Sequence, residues 1–78
     1  MINVRVVPNN IPMLHVRFEG RSYDILLNEL VLDAAASDEA VRTALAQHFD
    51  VAVVKFAAYV VERHANGNLT VRPEAVFG

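Results

Sequence analysis

The stretch from Met13 to Leu27 restricts the possible folds more than any other part of the chain. Met13–Glu19 and Ser22–Leu27 alternate apolar and polar side chains on either side of Gly20-Arg21. Period-two alternation of this kind describes strands with one buried and one wet face. Glycine at the first central position suits a two-residue type II′ turn. Such a turn pairs Phe18 with Tyr23, Val16 with Ile25 and Leu14 with Leu27 on one face. The other face then sets Arg17 across from Asp24, His15 across from Leu26 and Glu19 across from Ser22. One face is apolar throughout. The other carries an opposite-charge pair, which sheets use for a few tenths to about 1 kcal/mol. Slipping the register by one residue would turn every apolar side chain toward water, so the pattern demands a hairpin.

A hairpin alone cannot bury its apolar face and needs a second layer. The chain supplies one after Ser37. That serine reads as an N-cap, followed by Asp38 and Glu39, where the positive end of a helix dipole favours acids. Val41, Ala44, Leu45, His48 and Phe49 recur at helical spacing, while Arg42, Thr43 and Gln47 face away. A helix over 38–48, ending near Asp50, is expected. The flanks add strands. Ile2–Val7 sets Ile2, Val4 and Val6 against Asn3 and Arg5, and is expected as a strand closed by the loop Pro8-Asn9-Asn10-Ile11-Pro12. Leu69–Arg72 reads as a closing strand that Pro73 ends.

Over Val51–Ala65 two rules disagree. At about 100° per residue, a helix groups Val53, Phe56, Ala57, Val60, Val61 and His64 on one arc and Lys55, Tyr59, Glu62 and Arg63 on the other. Asn66-Gly67 would then stop it. The valines and aromatics of the same stretch prefer strands, and a three-residue loop Ala65-Asn66-Gly67 would let Val61 face Val71 in a second hairpin. The helix separates polar from apolar side chains more cleanly and is the arrangement expected. The expected fold is a single two-layer α+β domain over residues 1–78. Its N-terminal antiparallel strands and C-terminal strand form one sheet, with one or two helices packed on it. Phe18, Tyr23, Ile25, Leu27, Val41, Leu45, Phe49, Phe56 and Val60 are its expected core.

Composition narrows the function. The chain has 78 residues, 54% of them hydrophobic and 21% charged, which excludes an intrinsically disordered tail. It has no cysteine, which excludes disulfides, thiol redox chemistry and thiolate metal sites. A domain of this size buries only about 60% of the surface its unfolded chain exposes. With a mean hydropathy of +0.27, apolar surface is expected outside the core, where self-association or a protein partner would cover it. Lys and Arg number 7 against 9 Asp and Glu, for a net charge of −2. That balance excludes a bulk electrostatic grip on nucleic-acid phosphates. Met1–Arg5 lacks the pattern of a signal peptide, and the apolar run Val51–Val61 is broken by Lys55 and falls short of the roughly 20 residues that span a bilayer. A cytoplasmic protein without a membrane partner is expected.

No constellation of side chains points to catalysis, a cofactor or a metal. His15, His48 and His64 show neither the helical i, i+4 nor the strand i, i+2 spacing of metal ligands. His48 and His64 fall on the apolar arcs of the two expected helices, where they would approach each other. Ser22 belongs to the hairpin and Ser37 to the helix cap, Thr43 sits mid-helix and Thr70 in a strand; none has an evident base. The three glycines form no phosphate-cradling set. Two helices meeting near Asp50 would allow a helix-turn-helix, but its outer side offers Lys55, Arg63 and Glu62 and no amide to read bases. Arg5, Arg17, Arg21 and Arg72 lie on or beside strands and form the one candidate basic face. The expected role is a non-catalytic protein-interaction module, self-associating or acting with another protein.

The run Leu14–Leu27, followed by Ser37-Asp38 and the helix through Val41 and Leu45, resembles the opening of ubiquitin-like β-grasp proteins. The tail Gly67–Gly78, with its strand, its Pro73 and its terminal glycine, resembles the end of their sulfur-carrier branch. The resemblance implies a β-grasp-like sheet and a carrier whose Gly78 carboxylate is activated by a partner enzyme. It carries over only to Gly78; in the alternative, Pro73–Gly78 is an ordinary chain end whose Val76 and Phe77 dock on the body or on a neighbour, so Phe77 and Gly78 are the candidate binding residues. The chain departs from the family in the extra Ile2–Val7 strand and in Phe77, which stands where the carriers have a second glycine.

Overall fold

In the computed structural model the described residues are 12–74, and the expected strand at Ile2–Val7 lies outside them. Among these residues two strands, β1 (Met13–Phe18) and β2 (Arg21–Leu26), precede a 3-10 turn (Leu27–Leu30) and helix α1 (Asp38–Phe49). A second 3-10 turn (Val53–Phe56) leads to β3 (Tyr59–Arg63) and β4 (Leu69–Pro73). The strands form one mixed sheet in the order β2-β1-β4-β3. The two hairpins are antiparallel, and they join through parallel pairing of β1 with β4 at the centre. This is a small two-layer α+β fold.

The first hairpin forms with a different register from the one expected. Phe18 pairs with Arg21, Val16 with Tyr23 and Leu14 with Ile25, two residues away from the predicted partners. The two turn residues are Glu19 and Gly20, at φ 51° and 81°. Both central residues are left-handed, the requirement of a type I′ turn, and glycine takes the second place without strain. A shift of two keeps every side chain on its predicted face, which is why the alternation survives the change. It also changes the charged pair: Asp24 lies across from His15, and Arg17 across from Ser22.

Helix α1 forms where expected. The Ser37 hydroxyl accepts from the Ala40 N–H at 3.1 Å, and Asp50, left-handed at φ 56°, ends the helix. Its buried stripe is rotated from the predicted one: Val41, Leu45 and Ala46 are buried and Phe49 partly so, while His48 is exposed. Arg42, expected to face away, donates from Nε and Nη2 to the Tyr59 carbonyl at 3.2 and 3.0 Å.

The helix expected over 51–65 does not form. One 3-10 turn and a strand stand in its place, and Val61 faces Val71 as the alternative hairpin requires. The sheet decides the matter. A helix here would leave the outer edge of β4 unpaired, whereas β3 fills that edge and uses the strand preference of Tyr59, Val60 and Val61. Gly67, at φ 92° in the loop before β4, closes the turn. Without a second helix at Asp50, the helix-turn-helix arrangement is absent from the described residues.

The core lies between the sheet and α1. Leu14, Val16 and Phe18 of β1, Leu69 and Val71 of β4, Ile25, Leu27, Val41, Leu45 and Phe56 are all buried. Phe56 is fully enclosed, its ring 5.0 Å from Phe18 and 4.7 Å from Tyr59. Burial there, with the nearby Glu19 charge second, holds the Tyr59 phenol above its ordinary pKa. Val60, expected in the core, alternates to the opposite face of β3, and Val61 packs inward instead.

Candidate protein-interaction face

Helix α1 covers one side of the sheet, and among the described residues no element covers the other. The period-two alternation that sends Leu14, Val16, Leu69 and Val71 inward sends His15, Arg17, Thr70 and Arg72 outward. The pairings align them. Asp24 is opposite His15, His15 is opposite Thr70, and Thr70 is opposite Glu62, so one polar row crosses all four strands.

Hydrogen bonds tie side chains of this face together within each hairpin. His15 Nδ1 lies 2.6 Å from Asp24 Oδ1. His64, just past β3, places Nε2 2.7 Å from Thr70 Oγ1. Arg72 donates to both oxygens of Glu62, at 3.3 and 3.1 Å. That hydrogen bond and the adjacent guanidinium charge hold the Glu62 carboxyl below its ordinary range. Bidentate contacts of this sort fix side-chain direction more than they add stability at an exposed site. The result is a polar sheet surface with Val60 and Leu26 among its charges.

Of the four arginines expected to make a basic face, Arg17 and Arg72 lie on this surface and Arg72 is neutralised by Glu62. Arg21 pairs with Phe18 on the helix side of the sheet, and Arg5 lies outside the described residues. His48 and His64 do not meet, because one rides on α1 and the other bonds to Thr70 across the sheet. His48 instead lines an open cleft of about 230 Å³ with Glu29, Leu30, Val31, Ala44 and Gln47. No three His, Asp or Glu side chains come together as a metal site among the described residues. Phe77 and Gly78 lie outside them.

The His64–Thr70 contact is what sequence reasoning missed. Its signal was present: once Val61 faces Val71, Glu62 must lie opposite Thr70, with His64 on the same face. Comparison with protein-family models, curated proteins and solved structures finds no match. None of the helices among the described residues is long and apolar enough to cross a membrane.

Proposed function

We propose that the chain is a small non-catalytic protein-interaction module whose helix-free sheet face is the surface presented to a partner. The observation that carries this reading is the polar row Asp24–His15–Thr70–Glu62 across all four strands. An open sheet face with paired donors and acceptors suits a macromolecular surface; small ligands favour concave apolar pockets. The test is retention of partners from native extract by three immobilised forms. Wild type and Thr43→Lys, altered on the helix surface, are expected to hold the same protein. The double variant Arg17→Glu, Thr70→Lys is expected to lose it. Equal retention by all three, or by none, overturns the reading.

A second reading, the ubiquitin-like carrier, draws support from topology. A hairpin, a covering helix and a second hairpin, joined by parallel first and last strands at the centre, match the β-grasp arrangement that the resemblance implies. The strand at 59–63, in place of a helix, favours it further. On this reading β4 leads through Pro73 to Phe77 and Gly78, whose carboxylate a partner enzyme would adenylate. Deleting Phe77-Gly78 is expected to preserve the melting temperature and abolish ATP-dependent activation. A lower melting temperature or a changed oligomeric state would assign the tail to docking.

A further inference from the structure

The 3-10 turn after β2 ends on an unusual residue. Leu32 N–H bonds the Leu27 carbonyl at 3.0 Å and Val31 N–H bonds the Asn28 carbonyl at 3.2 Å, the paired bonds of a Schellman ending. The left-handed position of that motif favours glycine. Here it holds Val31, at φ 57° and ψ 41°. A β-branched side chain is a poor occupant of this conformation, and Val31 gains almost no packing in return, being 91% exposed. Strain kept at an apolar side chain aimed at solvent points to a role outside the chain's own core.

Val31 lines the open cleft of about 230 Å³ between the 3-10 turn and α1. Leu30 and Ala44 are apolar members of its lining, and Glu29 from the 3-10 turn and Gln47 and His48 from α1 are its polar ones. Glu29 Oε1 accepts from the Leu26 N–H at 3.3 Å, and its second oxygen has no hydrogen bond among the described residues. The His48 ring meets Phe49 edge-on at 5.1 Å. A knob therefore lies beside a hole, and an acid beside a base. This is the self-complementary pattern that a twofold contact requires.

We propose that two copies of the chain pair through this patch, each Val31 entering the other's cleft and each Glu29 facing the other's His48. The proposal rests on the interaction-module reading and adds to it a second surface, away from the open sheet face, with another copy of the chain as its partner. The patch is small beside the roughly 800 Å² per partner of a standard interface, so the pair is weak and reversible.

Sedimentation equilibrium from about 10 μM to 1 mM tests it. Wild type is expected to dimerise over that range. Val31→Gly is expected to weaken the dimer at least about tenfold while its thermal unfolding stays cooperative. Glu29→Lys alone sets a lysine against His48, and His48→Glu alone sets two acids together, so each should lose the dimer. Mixed in equal amounts, the two variants set the introduced lysine of one copy against the introduced glutamate of the other. The native Glu29–His48 pair survives on the opposite side of the twofold, and association should return. A wild type that stays monomeric, a dimer untouched by Val31→Gly, or a mixture that stays monomeric overturns the proposal. In each of those cases partner retention through the open sheet face still decides the broader reading independently.

Discussion

Replacing Val31 by glycine is expected to stabilise the monomer. A non-glycine residue in the left-handed region loses about 1–2 kcal/mol, and β-branching places Val31 toward the upper end. Two terms oppose the relief. Glycine frees the unfolded chain by about 0.4–1 kcal/mol. The lost packing is small, because a fully buried valine gains about 1.5–3 kcal/mol and Val31, 91% exposed, keeps about a tenth of that. The net gain is about 0.5–1 kcal/mol, which raises the melting temperature of a domain this size by about 2–8 °C. Val31→Ala is the control: it removes the same side chain but retains the Cβ that makes the conformation costly, so it should gain little. Circular-dichroism melts of all three proteins, at a concentration where wild type sediments as a monomer, read the difference. If Val31→Gly melts no higher than Val31→Ala, the backbone stores no strain there and the argument from it fails.

Ser37→Ala removes the acceptor for the Ala40 N–H and is expected to destabilise the domain by about 1 kcal/mol in denaturant titration; no change would mean that water caps α1 equally well. Phe56→Ala, which empties the fully enclosed ring site, is expected to lose about 3–5 kcal/mol and much of the cooperative transition. The Glu62 carboxyl titrates below its ordinary range because of Arg72. Its contribution is therefore complete above the unfolded pKa and lost as pH falls through the lower folded one. Carboxyl NMR titration should show Glu62 returning toward the ordinary range in Arg72→Ala, and a value that stays low would implicate another group.

The parts of the fold that could be read from sequence are those set by local chemistry. Ser37, Asp38 and Glu39 mark the start of α1 because capping and dipole effects act within one turn. The β1–β2 alternation is likewise local, and its faces are preserved in the structure. The individual partners are not, because Glu19 takes the left-handed conformation that would usually signal asparagine, aspartate or glycine. The 51–65 segment was illegible for a different reason. Its side chains satisfy a helical wheel almost as well as a strand, and what chooses between them is the open edge of β4, a separate element further along the chain. Tertiary pairing overrides local pattern in such a case.

The candidate face inherits that dependence. His15 and Asp24 are joined by a register two residues from the predicted one, and His64 and Thr70 by a hairpin that the helical arrangement ruled out. A sequence read element by element shows scattered polar residues at odd or even positions. Only the parallel junction of β1 with β4 turns those positions into a row, by placing His15 beside Thr70. The same logic explains the cleft. Glu29 and His48 are far apart in the chain and belong to different elements, and the packing of α1 against the first 3-10 turn brings both into the lining of one cleft. Val31 is the exception, since its strain is local. Even there, sequence shows only an apolar residue in a connection; the left-handed backbone that makes it informative follows from the two hydrogen bonds closing the turn. In so small a domain, the chain's chemistry is carried by long-range pairing, and its topology is therefore the first determinant of what it can bind.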